Sequence, residues 1–175
     1  MKTTTLILIV LIFGTTTLFA QAQQKKEQEQ EQSNAEKFST KTGTLLEKEF
    51  VKIGEVKEAQ ISVVYYTDLI NNTKDKAVKF EHGSANTAVL DADEIDGLIK
   101  SIKLIQEKIF PTQTTNYIEV TFRSRSGFEA GCYWHEGNWS TYLKFSYTSN
   151  PYVFLTKDDF PTLLNLLEQA KAKLQ

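Results

Sequence analysis

Apolar positions recur in the same order in two parts of the chain. Setting TAVLDADEIDGLIKSIKLIQEKI (87–109) over YVFLTKDDFPTLLNLLEQAKAKL (152–174) places Leu90 on Leu155, Ile95 on Phe160, Leu98 on Leu163, Ile99 on Leu164 and Ile102 on Leu167. These positions follow helical spacing, so each segment predicts a strand end followed by a helix with one apolar face. Asp91 and Glu94 have capping-box spacing at the first helix. At the second, Asp159 is the expected cap, with Pro161 in the first turn, where a missing amide hydrogen costs nothing.

Strand-like runs precede each helix. In the first half they cover about Leu45 to Val56, Ala59 to Leu69, Lys76 to Glu81 and Thr87 to Leu90. In the second they cover Tyr117 to Arg125, Phe128 to His135, Trp139 to Tyr147 and Tyr152 to Leu155. Asn71-Asn72, Gly83, Ser126-Gly127, Gly137-Asn138 and Asn150-Pro151 supply the turns between them. The pattern predicts an α+β fold, duplicated, with about four antiparallel strands and then one helix in each unit. The units span about 44–110 and 117–175. Either the helices lie between the two units or the sheets join edge to edge, and the pattern is compatible with both.

In element order this layout is similar to the duplicated sheet-plus-helix folds of the Whirly and PC4-like single-strand-binding proteins. The likeness concerns order alone. None of their basic residues stands in a matching place, so the resemblance implies a shape and no ligand.

Alternation sorts the aromatic stretch GFEAGCYWHEGNWSTYLKF (127–145). Phe128, Ala130, Cys132 and Trp134 share one strand face, and Trp139, Thr141, Leu143, Phe145 and Tyr147 continue it beyond the turn. Ile118, Val120 and Phe122 join this inner set from the preceding strand. Glu119, Arg123, Arg125, Tyr133, His135, Tyr142 and Lys144 form the outward set and are the candidate binding residues. Tyrosine and arginine suit recognition, through contact area and forked donors, although a solvated sheet face has the same composition. On this assignment Trp134 and Trp139 carry stability, while Arg123 and Tyr142 are dispensable for folding.

The ends of the chain refine the picture. Lys2, the apolar run Leu6 to Phe13, and Ala20 and Ala22 at signal-peptidase spacing predict a secretory signal peptide over 1–22. QQKKEQEQEQSNAEKFSTKTG is almost without apolar residues until Phe38, so 23–41 reads as a flexible polar tether to a single domain over 42–175. No stable membrane span is expected after processing. The protein is placed outside the cytoplasm, secreted or periplasmic.

Charge and candidate chemistry narrow the function. The net charge is -2 and becomes more acidic when Lys2 leaves with the signal peptide, which argues against nucleic acid as partner. Cys132 is the only cysteine, so stability must come from a core rather than from disulfides. It reads as a small buried hydrophobe and not a nucleophile. The acids Asp91, Asp93, Glu94, Asp96, Asp158 and Asp159 lack calcium-loop spacing and suit helix N-termini, so no metal and no cofactor is expected.

His82 and His135 each adjoin a glutamate, but the sequence holds no zinc-binding histidine pair, nucleophile elbow or phosphate loop. Asn71-Asn72-Thr73 and Asn138-Trp139-Ser140 match a glycosylation sequon. The reading is an exported, non-catalytic binding module whose partner is a protein, peptide or glycan of the cell envelope. The alternatives are a small hydrolase using His135 with nearby glutamates, and a self-associating structural protein.

Overall fold

A computed structural model describes residues 31–146 and 152–175; the expected signal peptide, most of the expected tether, Tyr147 and the Asn150-Pro151 turn lie outside the described residues. A short helix α1 (Asn34–Ser39) is followed by β1 (Leu46–Val56), β2 (Ala59–Asp68), β3 (Thr73–His82) and β4 (Asn86–Leu90). Helix α2 (Ala92–Leu104) comes next and ends in a π-helical turn over Ile105–Ile109. The pattern then repeats as β5 (Ile118–Arg123), β6 (Glu129–His135), β7 (Asn138–Lys144), β8 (Tyr152–Leu155) and α3 (Asp159–Lys173). Each unit forms a four-stranded antiparallel sheet in sequential order. The α+β class and the internal repeat follow directly.

The helices lie in one core shared by both units, and the last helix crosses to the sheet of the other unit while α2 touches both sheets. Helix α3, which follows the second sheet, packs on β1 and β2 of the first; α2 packs on α3, β3 and β5. Close approach explains two glycines. A Cβ on Gly54 would stand 2.5 Å from a Leu166 methyl, and one on Gly97 would stand 3.2 Å from the Phe122 ring. Phe80 of the first sheet and Phe128 of the second meet with ring centroids 4.6 Å apart. On β6 and β7 the inner row read from alternation is in place: Phe128, Ala130, Cys132, Trp134, Trp139, Thr141, Leu143 and Phe145 are all buried. On the edge strand β5, by contrast, Val120 and Phe122 are half-buried against the core and Ile118 is exposed. Trp134 and Trp139 meet edge to face at 5.3 Å, and the Trp139 Nε1–H donates to the Thr112 carbonyl at 3.0 Å.

Three local readings are corrected. The hairpin turn between β6 and β7 is Glu136-Gly137, both at positive φ (49° and 82°), and Asn138 is the first residue of β7 opposite His135. Two left-handed residues give the hairpin its matching twist, and Gly supplies one of them without strain. Asp159 does not cap its own helix forwards. Its carboxylate reaches back to the Thr156 amide and hydroxyl, both at 2.7 Å.

The third correction concerns 33–41, read as tether. Ser33 accepts from the Glu36 amide at 3.0 Å and Glu36 returns a bond to the Ser33 amide at 2.9 Å, a complete capping box that starts α1. The helix docks on the outer face of the first sheet, where Ala35 and Phe38 pack with Val64, Tyr66, Ala77 and Val89. Among the described residues, packed structure begins at Ser33. Among the described residues no helix is long and apolar enough to cross a membrane.

Candidate recognition face on the second sheet

Cross-strand register builds the outward face of β5–β8 row by row. Arg123, Glu129, Lys144 and Tyr152 make one row; Thr121, Gly131, Tyr142 and Phe154 the next; Glu119, Tyr133 and Ser140 the third. The rings in these rows, joined by Tyr117 just before β5, follow one another across the face. Centroids are 6.3 Å apart for Tyr117–Tyr133, 6.3 Å for Tyr133–Tyr142, 5.4 Å for Tyr142–Tyr152 and 5.9 Å for Tyr152–Phe154. These spacings are those of favourable aromatic pairs, so the stripe stiffens the sheet while keeping its own outer surface available. Phe154 is 60% exposed, Tyr117 62% and Tyr152 40%.

Tyr142 anchors the stripe. Although it points outward, Tyr133 and Tyr152 cover it and leave it 3% exposed. Its hydroxyl donates to Glu119 Oε1 at 2.9 Å and lies 2.8 Å from the Thr121 hydroxyl. Burial, followed by the negative charge of Glu119 and Glu129, pushes the Tyr142 hydroxyl up, so it stays protonated as a donor. Glu119 also accepts from the Tyr117 hydroxyl at 3.4 Å. Arg123 grips the buried Glu129 through Nε at 2.9 Å and Nη2 at 2.8 Å. Lys144 lies over the Tyr152 ring, 5.8 Å from its centroid.

Five of the seven residues read as outward candidates, Glu119, Arg123, Tyr133, Tyr142 and Lys144, thus share this face. His135 stands apart at the hairpin end, exposed, with Nδ1 4.0 Å from the Glu136 carboxylate, which the positive-φ turn swings toward it. Arg125 is elsewhere. β5 ends at Arg123, and the turn carries Arg125 to the start of α2, where it donates to Asp91 at 2.6 Å and to both Asp93 oxygens at 2.9 Å. Its backbone amide donates to Glu94 at 2.7 Å. Asp91 in turn accepts from the amides of Asn34 and Ala35, at 2.7 and 3.1 Å. Arg125 therefore ties the second sheet, α2 and α1 together. Its guanidinium holds the Asp93 carboxyl below the usual range.

Sequence reasoning missed Tyr117, Tyr152 and Phe154. Alternation through YVFL places Tyr152 and Phe154 on the face opposite Val153 and Leu155, and applying it there would have extended the stripe. Cys132 carries no chemistry here, since burial pushes its thiol up to about 12.

The first sheet differs at equivalent positions. Aligning Leu90 with Leu155 through the registers equates Val64, Ala77 and Val89 with Tyr133, Ser140 and Phe154. In the first unit α1 packs at those positions, and shallow clefts remain around Glu49 and Tyr66 and around Phe50 and Lys79. Comparison with protein-family models, curated proteins and solved structures finds no match to this chain.

Proposed function

We propose that this protein is a non-catalytic recognition module of the cell envelope or extracellular space, binding a protein, peptide or glycan through the outer face of β5–β8. The supporting observation is a difference between repeats. The outward positions that α1 packs against in the first unit correspond, in the second, to Tyr133, Ser140 and Phe154. The two rings among them belong to a connected, partly exposed aromatic stripe with polar groups already oriented. Contiguous exposed apolar surface of this kind marks an interaction site more often than a plain solvated face. Tyrosines held in place by neighbouring rings and hydrogen bonds bind at low entropic cost. Export rests on the leader pattern in the sequence. The hydrolase reading is less well supported, because His135 and Glu136 both stand in solvent, where nothing excludes water from a proton transfer.

The test is a thermal-shift screen of the full chain against envelope glycans, peptides and envelope extracts, run in parallel on a Tyr133→Ser/Phe154→Ser variant. The expected result is a stabilising ligand for the native chain that leaves the variant unshifted. Equal shifts in both proteins, or no shift with any member of the panel, would overturn the proposal.

A further inference from the structure

Four aromatic rings on the outer surface of this protein carry cations from the same chain. Lys41 sits 3.7 Å from the centroid of Phe38, Lys79 5.3 Å from Phe50, Lys48 5.7 Å from Tyr66 and Lys144 5.8 Å from Tyr152. A ring face attracts an ammonium or guanidinium through its quadrupole, so each pairing is a weak cation–π contact. Among the described residues, Tyr117, Tyr133 and Phe154 have no such partner, and Tyr117 and Tyr133 are the two of these beside a carboxylate. Their rings are 6.3 Å apart and tilted by 32°, and Glu119 stands on the same part of the sheet.

Glu119 is the unusual acid of this face. Glu129 is buried and held by Arg123, and Glu136 lies in the hairpin turn beside His135. Glu119 is exposed, its oxygens are aimed by the hydroxyls of Tyr142 and Tyr117, and among the described residues no lysine or arginine pairs with it. Tyrosine hydroxyls position the carboxylate without cancelling its charge.

We infer that Tyr117, Glu119 and Tyr133 form the seat for a lysine or arginine side chain of the partner, so that the ligand is a basic peptide segment. This rests on the outer face of β5–β8 being the recognition surface. The partner's cation supplies here what Lys144 supplies at the other end of the stripe, and the exposed Phe154 and Tyr152 offer apolar contact to the rest of the segment. A neutral glycan would use the ring faces but would leave Glu119 without a role.

The experiment titrates the full chain with three probes at low and at physiological salt: a glycine–lysine alternating heptapeptide, the same peptide with every lysine Nε-acetylated, and chitohexaose. Calorimetry is run on the native chain, on Glu119→Gln and on Tyr117→Leu. The expected result is binding of the lysine peptide alone, weakened by salt and weakened roughly fivefold by either substitution, the size of one exposed ion pair or cation–π contact. Tyr117 is largely exposed, so its variant guards against misreading a folding defect in Glu119→Gln. Equal binding of the acetylated peptide, indifference to both substitutions, or no binding of the lysine peptide would overturn the inference. Chitohexaose binding that survives Glu119→Gln and is lost in Phe154→Ser would overturn it while leaving the recognition face itself standing.

Discussion

The Tyr142 hydroxyl on β7 passes across β6 and donates to the Glu119 carboxylate on β5 at 2.9 Å. A residue that points away from the core is thereby only 3% exposed. Replacing Tyr142 by Ala is expected to destabilise the protein by about 3 kcal/mol, as for other buried aromatics, against the sequence-based expectation that it is dispensable. Tyr142→Phe keeps the packing and loses one hydrogen bond, so about 1 kcal/mol is expected. Chemical denaturation of the two variants checks the ordering.

Gly131 on β6 lies between the two strands that this bond joins. It pairs with Thr121 on one side and Tyr142 on the other, and a Cβ at this position would run into the Val120 carbonyl oxygen. The obstacle is backbone, which cannot swing away as a side-chain end can. Gly131→Ala is expected to cost about 2–3 kcal/mol, the range of overpacked sites, and to broaden the tyrosine ring signals of the stripe. A variant as stable as the native chain would contradict the close approach.

Arg125 joins elements distant in sequence, and its removal strands the acids around it. Asp91 and Glu94 are buried, and Arg125→Ala leaves both without their cation. The expected loss is about 2–3 kcal/mol, below the range for fully buried pairs because the arginine is partly exposed. Exchange protection should fall first at the amides of Asn34 and Ala35, which Asp91 holds. Loss confined to the β5–β6 turn would contradict its role as a joint.

Much of this architecture was legible because burial enforces periodicity. The Leu90/Leu155 superposition found both helices, and alternation found the inner row from Phe128 to Phe145. The arrangement of helices was not legible, since an apolar helix face satisfies either sheet equally, and the close approaches at Gly54 to Leu166 and at Gly97 to Phe122 leave no periodic signal. Arg125 was misplaced because alternation was carried two residues beyond the end of β5, into a turn. Helix α1 was hidden by its polar composition, although SNAE carries the capping box that starts it. Within the site, alternation sorted faces but not cover. It placed Tyr142 outward correctly and gave no sign that neighbouring rings close over it.

Asp68 makes part of the stability dependent on pH. Its carboxylate accepts from the Thr44 hydroxyl, from the Asn71 side chain at 2.9 Å and from the amides of Ile70 and Asn71 at 3.2 and 3.0 Å. These bonds, the Thr44 hydroxyl first, lower its pKa from 3.8 to about 2. A lowered folded value means that the contribution is full above the ordinary carboxyl value and is lost as pH falls from about 3.8 towards about 2. The Tm advantage of the native chain over Asp68→Asn should therefore shrink across that window. A constant advantage down to the lowest pH would contradict the assignment.

The central claim, that the outer face of β5–β8 is where the protein meets its partner, is tested most directly by mapping the contact. Backbone and aromatic NMR signals are followed while the tightest binder from the ligand screen is added to the full chain. The expected perturbations centre on Tyr117, Glu119, Tyr133, Tyr152 and Phe154. Perturbations centred instead on α1, or on the first-sheet clefts around Tyr66 and Phe50, would contradict the account.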